Sequence, residues 1–322
     1  MDGLINYQFF FQDSTIMTMK NRFLGSLLGL ACGDAVGTTV EFKPRGTFEP
    51  VTDMVGGGPF GLLPGQWTDD TSLALCLAES LIESGGFDAK DQSRRYLRWF
   101  RKGYLSSTGH CFDIGNTTRN ALVAFDRSGD PFSGPTDPNS AGNGSIMRLA
   151  PVPMFYVDEI DAVVEFSAQS SRTTHGAAEA VDACKLFGVM IALALRGEGK
   201  EKILVDAIKH LDRAQLAPQI TEIAEGTYRE KSLDEIRGSG YVVKSLEAAL
   251  WAFWHADTYE QAVLKAVNLG EDTDTTAAVV GQLAGAFYGA ERIPSGWRSK
   301  VAFRETIEDY SLKLYEKKQG QK

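Results

Sequence analysis

Two short stretches of this 322-residue chain gather more oxygen-bearing side chains than a helix start calls for. One is Thr68-Asp69-Asp70-Thr71, and the other is Glu271-Asp272-Thr273-Asp274-Thr275-Thr276; each immediately precedes or opens an apolar helical pattern. Asp and Thr are good N-caps, because their oxygens accept from the orphan N–H groups of the first turn, and negative charge suits that end. One such residue is enough for a cap. Adjacent carboxylates repel one another unless a cation lies between them. Hard divalent cations take oxygen ligands of this kind. Neither stretch offers sulfur or imidazole, so the donor set points to Mg²⁺ or Mn²⁺, admits Ca²⁺ and disfavours Zn²⁺. Three readings stand side by side: a metal site from Thr68, Asp69, Asp70, Asp272, Asp274 and Thr275, a pair of helix caps, and a solvated acidic surface.

Other polar residues carry the same kind of choice. Asp34 and Glu41 flank the point where the first helical pattern gives way to loop, and each reads as an exposed charge or a site acid. Asp113 lies between Phe112 and Ile114 ahead of another helix, as an N-cap or a site acid. The run Gly142-Asn143-Gly144-Ser145 reads as a turn, or as a backbone cradle whose N–H groups hold phosphate. His175 is one of four histidines and is either structural or close to a substrate; His110, His210 and His255 show no partner pattern.

The elements that must position these groups are helical. Apolar residues recur at helical spacing over 21–36, 70–83, 88–101, 115–126, 159–170, 175–195, 201–212, 217–225, 243–254, 258–268, 273–289 and 297–317. No alternating run makes a strand, so the fold class is all-α, a single compact multi-helix bundle. Pro- and Gly-rich loops over 43–66 and 128–145 interrupt the helices, and loops of that length are often functional. Gly25, Gly29 and Gly33 recur every fourth residue in the first helix, as Gly281 and Gly285 do near the end of the chain. Such spacing lets two helix backbones approach closely, at about 1 kcal/mol per interior glycine against alanine. Residues 21–322 read as one domain, and residues 1–20 as an N-terminal extension that need not be ordered. A formal charge of −9 argues against a nucleic-acid partner. Four scattered cysteines read as reduced, buried thiols. The start lacks the features of a signal peptide, and no stretch reads as a membrane span, so a cytoplasmic location without membrane contact is expected. Nothing in the sequence speaks to oligomeric state.

Six segments together resemble the ADP-ribosylglycohydrolase family, in particular its dinitrogenase-reductase-activating type. They are GSLLGLACGDAVGTTVEF (25–42), GQWTDDTSLAL (65–75), FDIGNTTRNAL (112–122), AGNGSIMRLAP (141–151), SRTTHGAAEA (171–180) and VNLGEDTDTTAAVVGQLAGAFYG (267–289), in the family's order. The resemblance implies an all-α hydrolase that frees ADP-ribose from a modified protein side chain, foremost arginine, using two Mg²⁺ or Mn²⁺ ions. It implies Thr68, Asp69, Asp70, Asp272, Asp274 and Thr275 as metal ligands. It places Glu41 beside the metals and Asp113 in the chemistry, both as catalytic groups. Asn143, Gly144 and Ser145 would line the diphosphate region, with His175 near the substrate. The partners implied are an ADP-ribosylated protein and ADP-ribose as product. Alternatives within the same resemblance are hydrolysis of an O-linked ADP-ribose, as in ADP-ribosyl-serine or an acetylated ADP-ribose, and a non-catalytic binding or structural relative. Glu271 stands where the family pattern has glycine, which adds charge beside the site.

Overall fold

The computed structural model describes residues 17–320. Among them fourteen α-helices occur and no strand. In chain order they are α1 (Met19–Gly37), α2 (Asp69–Ser84), α3 (Ala89–Lys102), α4 (Asn116–Ser128), α5 (Pro151–Phe155), α6 (Ile160–Arg172) and α7 (Ala178–Leu195). There follow α8 (Lys200–Asp206), α9 (Pro218–Ala224), α10 (Val242–Trp254), α11 (Tyr259–Val267), α12 (Thr273–Tyr288), α13 (Ser295–Lys300) and α14 (Arg304–Gly320). Helix α1 begins two residues earlier than its pattern predicts, because Thr18 caps it by accepting from Asn21 N. Of the expected extension, residues 1–16 lie outside the described residues.

Helices α1 and α12 form the centre. They run antiparallel with their backbones in contact along the glycine stripes. A Cβ on Gly29 would lie 2.4 Å from Gly281 O, and one on Gly33 would lie 2.2 Å from Ala277 O. From the other side, a Cβ on Gly285 would lie 1.9 Å from Gly25 O. No side chain fits this seam. The stretch 19–40 contains an 18-residue window with a mean hydropathy of 1.4, long and apolar enough by length and composition to cross a membrane, contrary to the expectation from the sequence. Here 89% of that window is buried inside the protein.

Two departures from the predicted helices have tertiary causes. The pattern over 297–317 is broken at 301–303. Ala302 N donates to Gly65 O (2.8 Å), Trp67 Nε1 donates to Ala302 O (3.1 Å), and Phe303 turns left-handed with φ of 52°. Helix α7 starts at Ala178 rather than 175, because His175 N is bonded to Ser171 O (2.7 Å) and Gly176 N to Pro135 O (3.0 Å). Helix α5 has no counterpart in the sequence reading. All four cysteines are free, three of them buried and Cys111 half-buried.

Candidate active site

The antiparallel seam brings the C-terminal end of α1 to the N-terminal end of α12, where Thr273 Oγ1 donates to Gly37 O (2.6 Å). One turn back along α1, Asp34 is fully buried. Its carboxylate accepts from Thr68 N (2.9 Å), Thr68 Oγ1 (3.0 Å), Thr71 N (3.1 Å) and Thr71 Oγ1 (2.6 Å). A residue of α1 therefore serves the start of α2. The N-cap residues themselves, Thr68 for α2 and Asp272 for α12, make no side-chain cap bond. Capping thus accounts for neither acidic stretch. A solvated acidic surface fails too, since Asp69, Asp70 and Asp274 are buried.

The two stretches instead meet. Thr68 Oγ1 donates to Asp274 Oδ2 (3.2 Å), and Thr275 Oγ1 reaches Asp70 Oδ1 (3.4 Å). Carboxylate oxygens of Glu41, Asp272 and Asp274 lie within 4.8 Å of one another. Glu41 Oε2, Asp70 Oδ2 and Asp274 Oδ1 are buried and have no hydrogen-bond partner. Burial holds the carboxyls of Asp69, Asp70 and Asp274 well above their ordinary range, and the charges of neighbouring carboxylates add to it. Burial, then the charge of Asp113, pushes Glu41 up to about 10. Asp272 is raised by burial against the opposing bond from Asn143, and Asp113 rises by burial to about 7. Oxygen-only donors, orphaned lone pairs and mutual repulsion are the setting that a hard divalent cation relieves. The residues present fit such an ion.

Above the cluster opens a cleft of about 650 Å³, lined among others by Glu41, Asp69, Asp113, Asn143, Gly144, His175, Asp272, Asp274 and Thr275. Three residues on its wall, Phe42 (φ 63°), Asp113 (56°) and Glu271 (68°), are left-handed without being glycine. That conformation costs roughly 1–2 kcal/mol per residue, and it persists where the surroundings impose it. Phe42 N donates to Glu271 O (2.7 Å) and Glu271 N to Lys43 O (2.8 Å), so these two lock each other. Asp113 is not the cap of α4; Gly115 holds that position, and Asp113 lines the cleft. The Glu271 carboxylate pairs with Arg237 at 3.2 Å.

The remaining expected site residues divide. Gly144 and His175 lie together on the cleft wall, where a Cβ on Gly144 would come within 2.7 Å of His175 Cε1. Asn143 donates from Nδ2 to Asp272 Oδ2 (2.6 Å), so its amide serves the acidic cluster. Ser145 is buried behind the wall, its hydroxyl bonded to Ser171 Oγ (2.9 Å). Residues 143–147 form a turn, with Ile146 N and Met147 N both bonded to Asn143 O. Sequence reading leaves Asp34 undecided and passes over Arg148 and Thr174, which back His175. Arg148 has one signal, a lone cation inside the apolar run 146–151.

The ADP-ribosylglycohydrolase family model matches residues 15–322. An ADP-ribosylarginine hydrolase, Tri1, of Pseudomonas putida (strain GB-1) is 48% identical over 297 residues, covering 92% of this chain and 78% of the relative. An ADP-ribosyl-dinitrogen reductase glycohydrolase of Rhodospirillum rubrum is 32% identical over 288 residues, covering 88% and 91%. A solved structure of an ADP-ribosylglycohydrolase-related protein complex superposes with a TM-score of 0.83 at 43% identity, over 94% of this chain and 100% of that one.

Proposed function

The chain belongs to the ADP-ribosylglycohydrolase family, and on that premise we propose that it hydrolyses the N-glycosidic bond between ADP-ribose and arginine side chains of modified proteins. The observation that carries the reading is the meeting of residues 68–70 with residues 272–275 around three orphaned carboxylate oxygens, at the floor of a cleft. Thr68, Asp69, Asp70, Asp272, Asp274 and Thr275 would hold two divalent cations, Mg²⁺ or Mn²⁺, with Glu41 beside them. When bound, such ions supply Lewis-acid polarisation of oxygen and neutralise the acidic cluster.

The chain's own groups do the rest. Asp113, on the cleft wall beside the cluster, is placed to pass a proton from a carboxyl oxygen to the departing guanidine. As the C–N bond breaks, oxocarbenium-like charge develops at the anomeric carbon, which Glu41 and the other carboxylates on the cleft floor stabilise; a water then adds to that carbon and gives up its proton to a carboxylate. Gly142 N and Asn143 N already donate to Ser140 O and Gly240 O, which leaves the N–H of Gly144, on the cleft wall, as the neutral donor to the diphosphate that an acidic protein otherwise repels.

The test is a panel of defined ADP-ribosyl linkages, assayed with Mg²⁺ or Mn²⁺ and with chelator. Arginine-linked ADP-ribose should be released only with the cation. Asp274→Asn and Asp69→Asn should each lose more than about a hundredfold, beyond the effect usual for groups that only support a ligand. Wild-type rates in either would refute the ligand set. Arginine activity surviving in Asp113→Ala would remove that residue from the chemistry, and faster cleavage of serine-linked ADP-ribose would move the substrate class.

A further inference from the structure

Behind the cleft wall Arg148 is fully buried and, among the described residues, makes no ion pair. Its partners are neutral. Nη1 donates to Gly144 O (2.7 Å), and Nη2 donates to Thr174 Oγ1 (2.7 Å), with longer contacts to Thr173 Oγ1 (3.4 Å) and Ser170 O (3.5 Å). The guanidinium also sits 4.6 Å from the centre of the Tyr96 ring. Burying a cation without a counter-charge is expensive, so a chain that keeps one uses its rigid donors for something.

Thr174 Oγ1 has a second close neighbour, His175 Nδ1, at 2.8 Å. A hydroxyl carries one proton and two lone pairs. Arg148 occupies a lone pair, so the contact to Nδ1 runs in one of two directions. Were Nδ1 the donor, the Thr174 proton would be left without an acceptor at a site with no solvent exposure. With Thr174 donating, its own proton and His175 Nδ1 are both satisfied, and Nε is the one N–H of Arg148 buried without a partner among the described residues. Nδ1 is then the acceptor, and the ring proton sits on Nε2. That nitrogen lies against Gly142 and Gly144, within 3.2 Å of where a Cβ on either would be.

We infer that Arg148 and Thr174 are positioning residues, which hold His175 as a neutral imidazole with Nε2–H presented to the cleft as a fixed donor for the anionic oxygens of ADP-ribose. Burial, with the charge of Arg148 behind it, pushes the His175 imidazole down to about 3, in keeping with a donor that is neutral at pH 7. The same guanidinium holds Gly144 O, so one buried cation sets both the imidazole and the backbone loop beside it. The identity of the ligand rests on the proposed function; the tautomer does not.

The tautomer is read directly from long-range proton–nitrogen correlation spectra of the full chain at pH 7 with labelled imidazoles, the His175 signals being those lost in His175→Gln. Wild type and Thr174→Ser should show a single Nε2–H form, and Thr174→Val a mixed or Nδ1–H form. A wild-type ring protonated on Nδ1, or on both nitrogens, overturns the inference, and this holds even if Thr174→Val fails to fold. In turnover of ADP-ribosyl-arginine, Thr174→Val should raise KM about tenfold or more, with a smaller change in kcat, and Thr174→Ser should restore it. An unchanged KM in the valine variant overturns the donor role. An Nε2–H ring in a protein that cleaves no ADP-ribosyl linkage would leave the relay standing and remove the proposed function.

Discussion

Asp34 shows how much one buried carboxylate does: it takes four hydrogen bonds from Thr68 and Thr71 and thereby sets the helix start that carries Asp69 and Asp70. In Asp34→Asn an amide NH₂ would face those donors. We expect a loss of about 3 kcal/mol in urea unfolding, from buried groups left unpaired, and a higher Mg²⁺ requirement for activity. Stability and cation requirement unchanged from wild type would refute the role. The acidic cluster predicts a second effect in chelated protein. The folded-state values of Glu41 and Asp113 lie at about 10 and about 7, above those of the unfolded chain, through burial first and carboxylate repulsion besides. Protonation therefore favours the folded state, and stability should fall as pH rises from about 4 through neutrality. Melting of chelated protein at pH 5 and pH 8 checks the sign, and Mg²⁺ should flatten the difference. At this scale the carboxylates were legible because their density exceeded what capping needs. Asp34 and Arg148 were not, since their roles depend on partners far off in sequence and not on their own neighbours.

The seam between α1 and α12 makes the geometry of the site a property of two elements. Gly29→Ala would drive a methyl against Gly281 O. The expected loss is about 3 kcal/mol, the upper part of the usual range for overpacking, and cation affinity should fall as the helix ends separate. Gly296→Ala, in α13 with nothing within 4 Å of the new Cβ, should instead gain about 0.5–1 kcal/mol. Chemical denaturation of the two variants separates close approach from a general effect of glycine. The seam was readable because glycine every fourth residue weakens a helix and gives little in return except room for a neighbouring backbone. The break between α13 and α14 was not, because the bonds that make it come from residues 65 and 67, across the fold. Nor were the left-handed turns at Phe42, Asp113 and Glu271, where no glycine announces them.

For the whole molecule, the local pattern contained each half of the acidic cluster but not their meeting, which requires the chain to close over some two hundred positions. An acidic protein of net charge −9 with a cleft floored by carboxylates should depend on its ions for stability as well as for chemistry. Divalent cation at about a hundred times its Kd should add about 2.7 kcal/mol by mass action. A thermal-shift titration reads this, and Asp274→Asn should abolish it. The glycine seam also has a meaning in time. At about 5–20 residues per second, α1 leaves the ribosome roughly 10–50 s before α12 is made. Throughout that interval the glycine face of α1, which the folded protein covers with α12, has no partner backbone to lie against it.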